Sequence, residues 1–153
     1  MRYTTSKHKE MQQIIKLYKS ETGELQVDMR KIAEYAVKKG WPLPIPTDPL
    51  DRLASDFTQA AREEVETDKV TGHPYRVNHA YKVGQAMFWI NIDEAPREPM
   101  QKSLIARREQ MVDDGLQLTY DADHWNRIHS YEEPIQIPLD FTDDIQWRKM
   151  GLD

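Results

Sequence analysis

Asp121, Asp123, His124, His129, Glu132 and Glu133 crowd thirteen positions of this chain. Aspartate, histidine and glutamate are the side chains that hold zinc, manganese or non-haem iron. Asp121 and His124, three apart, can share one helical face. No ligand motif of the H-E-x-x-H kind accompanies them, and acids and histidines at a helix end are ordinarily just solvated, so no metal is expected. His73 and His79 flank a strand-like run, where a histidine is normally a packed side chain with one hydrogen bond. Zero cysteines exclude a disulfide framework, a thiolate metal site and a cysteine nucleophile. The G-x-S-x-G elbow, the P-loop and the dinucleotide-binding G-x-G-x-x-G are all absent from the sequence. Its six glycines are scattered singly and build no phosphate cradle. Asp113-Asp114 and Asp143-Asp144 are adjacent rather than opposed, so neither pair can address one bond from two sides. No catalytic residue and no cofactor are expected. A small metal-dependent enzyme built around Asp121 to Glu133 ranks below the two binding readings developed next.

Charge is the second chemical signal. The 153 residues carry a net charge of −5, which argues against a uniformly basic nucleic-acid protein. The distribution is uneven. Residues 1 to 40 hold nine Lys/Arg against five Asp/Glu, and residues 41 to 95 hold five against nine. Residues 96 to 130 hold five against six, and the last 23 residues hold two against six. Inside the acidic second segment, Lys69 to Ile92 contains Lys69, Arg76 and Lys82 and no acid. Two basic patches therefore stand out, one around Arg30, Lys31, Lys38 and Lys39 and one around Arg76 and Lys82.

The elements that must position these residues follow from periodicity. Met11, Ile14, Ile15 and Tyr18 predict a first helix near 6 to 20. Asp28 caps a second over about 28 to 39, with Met29, Ile32, Ala33, Ala36 and Val37 as its stripe and Gly40 ending it. Prolines at 42, 44 and 46 then fix an extended connector. Asp48 and Pro49 open a third helix over about 49 to 66, with Leu50, Leu53, Ala54, Phe57, Ala61 and Val65 on one face. The period then changes to two. Tyr75 to Val83 and Phe88 to Ile92 form a hairpin around Gly84-Gln85, and glycine first in a two-residue loop fits a type II′ turn. Leu104, Met111, Leu118 and Trp125, seven apart, mark a fourth helix opening near Pro99. Arg108 and Gly115 interrupt its second apolar row, and Gly115 ends or bends it. Pro134 and Pro138 bracket Ile135, Ile137, Leu139 and Phe141 in an edge strand or extended arm. Thr142-Asp143-Asp144 starts a short last helix.

The chain is thus expected to be α+β and mostly helical. Three helices followed by a two-stranded hairpin resemble the winged helix-turn-helix fold over about residues 6 to 95, with the hairpin as the wing. The resemblance is one of architecture. It implies nucleic-acid binding, with the second and third helices as the helix-turn-helix pair, the third helix in a major groove and the wing on backbone phosphates. On the third helix Arg52, Gln59 and Arg62 would then read base edges. Arg30, Lys31, Lys38 and Lys39 on the second helix and Arg76 and Lys82 on the hairpin have the charge for phosphate contact. The third helix departs from the pattern, since Asp48 to Glu66 holds six acids and two arginines. The eight-residue connector is also longer than the usual three- or four-residue turn.

Three segments result: a winged-helix-like domain over 1–95, a helix over 96–130 and an acidic arm with a short helix over 131–153. Trp89 alternates out of phase with Phe88, Ile90 and Ile92, so it faces solvent, a partner or a groove. Ile135, Ile137, Leu139 and Phe141 either fold over their own helix or are covered by a second subunit, and exchange into a homodimer is slightly favoured. The longest apolar run, Ala86 to Ile90, is five residues, and the amino terminus shows no secretory h-region, so no membrane partner and a cytoplasmic setting are expected. The leading expectation is a non-catalytic nucleic-acid-binding or regulatory module. The alternative is a protein-interaction adaptor whose acidic third helix and tail bind a basic partner in the manner of a nucleic-acid mimic.

Overall fold

A computed structural model describes residues 6–152. The chain is α+β, with α1 (Ser6–Thr22), α2 (Met29–Lys38), α3 (Pro49–Glu63), β1 (Val65–Thr67), β2 (Pro74–Arg76), β3 (Asn78–Val83), β4 (Ala86–Asn91), α4 (Arg97–Ile128) and α5 (Thr142–Lys149). It divides into two compact units, 1–55 and 56–153.

In the first unit α1 packs on α2. Asp28 caps α2 as expected, its carboxylate accepting from the Arg30 amide at 2.9 Å, and Gly40 follows the helix with φ +98°. Asp48 does the same for α3 through the Leu50 amide at 2.8 Å. The small core holds Tyr18, Ile32 and Ala36. Tyr18 and Tyr35 meet edge to face at 5.4 Å. The Tyr18 hydroxyl donates to Glu24 and the Tyr35 hydroxyl to Glu21. Lys39 lies over the Tyr35 ring at 5.5 Å and pairs with Glu21 at 3.6 Å.

Burial first, and the hydrogen bond to Glu21 second, push the Tyr35 phenol up to about 12. A raised folded-state value means that the neutral phenol is the stabilised form. This contribution is complete below the ordinary tyrosine range near pH 10 and is lost as pH rises through about 12. Tyr18 and Tyr75 are raised as well, so the late-titrating phenolate absorbance should shrink by one tyrosine in Tyr35→Phe and move in part to lower pH in Glu21→Gln.

The second unit carries two antiparallel hairpins. β1 pairs with β2, Val65 opposite Arg76, and β3 pairs with β4, Val83 opposite Ala86. The β3–β4 turn is Gly84-Gln85, with φ +61° at the glycine and, among the described residues, no positive φ at any other residue type. A positive φ at the first turn position alone is the II′ pattern rather than I′. Buried Val77 joins the hairpins: its amide donates to the Glu64 carbonyl at 3.1 Å and its carbonyl accepts from the Ile92 amide at 2.8 Å.

Two expectations are corrected here. The third helix ends at Glu63 rather than running to 66, and Val65, counted on its apolar face, lies in β1. The run from Tyr75 to Val83 is divided between β2 and β3 at Val77. The cause is the same in both places. Groups beyond the helix take the carbonyls at its end, the Asn78 side-chain amide donating to the Ala61 carbonyl at 3.2 Å and the Val77 amide to the Glu64 carbonyl at 3.1 Å, while Asn78 also donates to the Glu64 carboxylate at 3.0 Å.

α4 is continuous through Gly115 for 32 residues, so the glycine neither ends nor interrupts it. Leu139 approaches to 4.0 Å of where a Cβ on Gly115 would stand. A Cβ there would make only an ordinary van der Waals contact with the arm. Residues 133–140 have no regular structure, and the arm runs back along α4 of its own chain. The Asn126 side chain grips it like a strand partner, donating to the Ile135 carbonyl at 2.9 Å and accepting from the Ile135 amide at 2.8 Å. Asn126→Ala removes both bonds at about 1 kcal/mol each, so exchange of the Ile135 amide should accelerate by roughly thirtyfold, and Asn126→Asp, which keeps the acceptor, should fall between.

Candidate nucleic-acid interface

The second unit brings three arginines from distant parts of the sequence to one cleft of about 520 Å³. Arg62 comes from the last turn of α3, Arg76 from β2 and Arg107 from α4, one turn beyond its buried residue. That residue is Ser103, 2% exposed, whose small side chain lets α4 approach the sheet. Trp89 stands opposite Ala80 on the hairpin and lines the same cleft. The Arg62 guanidinium lies over its indole, 5.8 Å from the ring centroid. Asn78 and Gln110 add amides, and Asp114 is the single carboxylate of the lining.

The local chemistry explains the placement. Asn78 ties the end of α3 to the start of β3, which holds Arg62 against the hairpin. His79, 5% exposed, meets the Arg76 carbonyl at 2.8 Å through Nε2; a carbonyl only accepts, so Nε2 carries the hydrogen. That bond fixes the backbone from which Arg76 projects. Among the described residues none of the three arginines joins an ion pair, so their donors are open to an external anion. Three guanidiniums and one carboxylate leave a net positive lining in an otherwise acidic protein.

The expected site residues are treated unevenly. Arg62, Arg76 and Trp89 are brought together, whereas Lys82 lies farther along β3, opposite Met87 and outside the cleft lining. Gln59 is occupied, its amide donating to Glu63 at 2.7 Å. In the first unit Arg30 pairs with Glu34 at 3.6 Å and Lys39 with Glu21, while Lys31, Lys38 and Arg52 are exposed. Ile135, Ile137, Leu139 and Phe141 are each between 41% and 49% exposed on the arm. Sequence reasoning missed Arg107. The signal was there: Arg107 and Gln110 follow Ser103 at helical spacings of four and seven, on a face with no large apolar residue except at its edge.

The crowded Asp/His/Glu stretch is differently engaged. Gln117 donates to Asp121 at 2.9 Å, and His129 stacks on Trp125 at 4.3 Å while bonding its carbonyl through Nδ1. Among the described residues no three such side chains are grouped to hold a metal ion, and no helix is long and apolar enough to cross a membrane. Compared with protein-family models, curated proteins and solved structures, the chain matches none.

Proposed function

We propose that this chain is a non-catalytic nucleic-acid-binding or regulatory module of winged-helix-like build, and that it grips backbone phosphate in the cleft of Arg62, Arg76 and Arg107. The observation that carries the reading is the convergence of three unpaired guanidiniums beside Trp89. Guanidinium forks match phosphate oxygens in geometry as well as charge. The Arg62-covered indole and the two amides give the cleft a flat, polar wall against which a sugar or base edge can rest. Contacts of this kind position a nucleic acid without reading its sequence. Arg52 and the lysines of α2 lie in the other unit and take no part in the cleft.

The test is fluorescence anisotropy of labelled random-sequence duplex DNA and RNA at two salt concentrations. Non-specific affinity on the order of micromolar to 100 µM is expected. Three phosphate contacts on a duplex give a slope of about −2.7 in log K against log salt, so a fourfold rise in salt weakens binding by about 40-fold. A folded sample that binds neither nucleic acid at the lower salt would sink the reading and leave the acidic-adaptor alternative, to be pursued by binding to a basic protein.

A further inference from the structure

We infer that α4 carries a self-association seam, on which a second copy of this chain packs antiparallel with the two-fold axis beside Met111. The inference rests on α4 and not on the nucleic-acid reading; Met111 also borders the arginine cleft, so the test is made without nucleic acid. One face of α4, marked by Ser103, is closed by the hairpin, and another, around Val112, Gly115 and Thr119, is lined by Leu139 and Phe141 of the arm. Between these two faces runs the row Leu104, Met111 and Leu118, which at seven-residue spacing forms one straight seam. These side chains are 52%, 56% and 43% exposed. Met111 borders the groove that Leu139 and Phe141 of the arm also line, and is still 56% exposed.

Charge identifies the occupant. The first sixteen residues of α4 hold Arg97, Lys102, Arg107 and Arg108 against Glu98 and Glu109, and the last sixteen hold Asp113, Asp114, Asp121 and Asp123 against Arg127. The net charges of the halves are therefore +2 and −3. A lone helix is stabilised by the opposite arrangement, acids toward its N-terminus and bases toward its C-terminus. The layout thus works against α4 in isolation and in favour of an antiparallel neighbour of the same sequence, where each basic half faces an acidic half. A parallel copy would set like halves together. In a two-fold interface residue i meets j and j meets i. An axis at Met111 brings Met111 against its own symmetry mate and Leu104 against Leu118 of the partner subunit, and extends the exposed edges of Leu139 and Phe141 into the contact.

The chain contains no cysteine, so an introduced thiol is the sole thiol. Met111→Cys, Leu104→Cys and Leu118→Cys, each at a half-exposed position, are oxidised mildly in the full chain and read on a non-reducing gel. Met111→Cys alone should cross-link to a dimer. Leu104→Cys and Leu118→Cys should stay monomeric singly and cross-link when mixed, which reads the same geometry should Met111→Cys fold poorly. Sedimentation of the unmodified chain should show a monomer–dimer equilibrium that is complete toward the dimer by about 100 µM and weakens with salt. Cross-linking of all three single variants means a parallel pair and overturns the inference. So does a monomer throughout that range, or a dimer that no combination of these thiols traps.

Discussion

Replacing Arg62, Arg76 and Arg107 together by alanine is expected to abolish salt-dependent nucleic-acid binding while the protein stays folded. All three side chains are exposed, so each guanidinium–phosphate contact is worth about 1 kcal/mol, roughly fivefold in affinity. The triple variant should lose roughly a hundredfold, and each single replacement should flatten the salt slope by about 0.9. The discriminating comparison is within one hairpin. Arg76 lines the cleft and Lys82 does not, although both belong to the same basic stretch of sequence. Lys82→Ala should therefore change the slope little. If it weakens binding as much as Arg107→Ala does, phosphate sits along the hairpin tip and the cleft is the wrong address. Trp89→Ala is a further control: it frees Arg62 from its stacked position without removing a charge, so affinity falls while the slope is kept.

The contrast between Arg76 and Lys82 also shows what the sequence could and could not reveal. Caps and turns are local chemistry, and Asp28, Gly40, Asp48 and Gly84 announced their elements correctly because each acts within a few residues of itself. The β3–β4 hairpin was legible for the same reason. The β1–β2 hairpin was not. Val65 continues the four-residue spacing from Ala61, and only the demand of Val77 for the Glu64 carbonyl, thirteen residues on, withdraws it from the helix. Local propensity loses there to a contact that no window along the chain contains. Gly115 was expected to end or bend α4, and the helix does not end there because one poor helix former is outweighed by the turns on either side. Of the cleft, two arginines and the tryptophan were visible as charge and phase. Arg107 was hidden because the apolar signal of α4 is its seven-residue row, whereas Arg107 lies with Ser103 on the face toward the sheet.

Ser103→Leu is expected to be the most damaging single substitution in the second unit. Ser103 is 2% exposed where α4 meets β3 and borders the arginine cleft, so a leucine there must press on the hairpin or push into the cleft. Overpacking of this kind costs about 1–3 kcal/mol, which lowers the melting temperature of a domain of this size by roughly 5–15 °C. Ser103→Ala keeps the volume and should melt near the parent. Ala106→Leu adds the same bulk to an exposed position and should change stability by less than about 0.5 kcal/mol. The consequence for function separates shape from charge. Arg107 is one turn from Ser103, so a leucine that pushes α4 off the hairpin also withdraws Arg107 from Arg62 and Arg76. Ser103→Leu should then lose both stability and nucleic-acid affinity, with its salt slope falling toward two contacts, whereas Arg107→Ala should lose the same slope at an unchanged melting temperature. Loss of stability with affinity intact would mean that Arg107 follows the hairpin rather than the helix axis, and that Ser103 sets the packing of the sheet without setting the cleft.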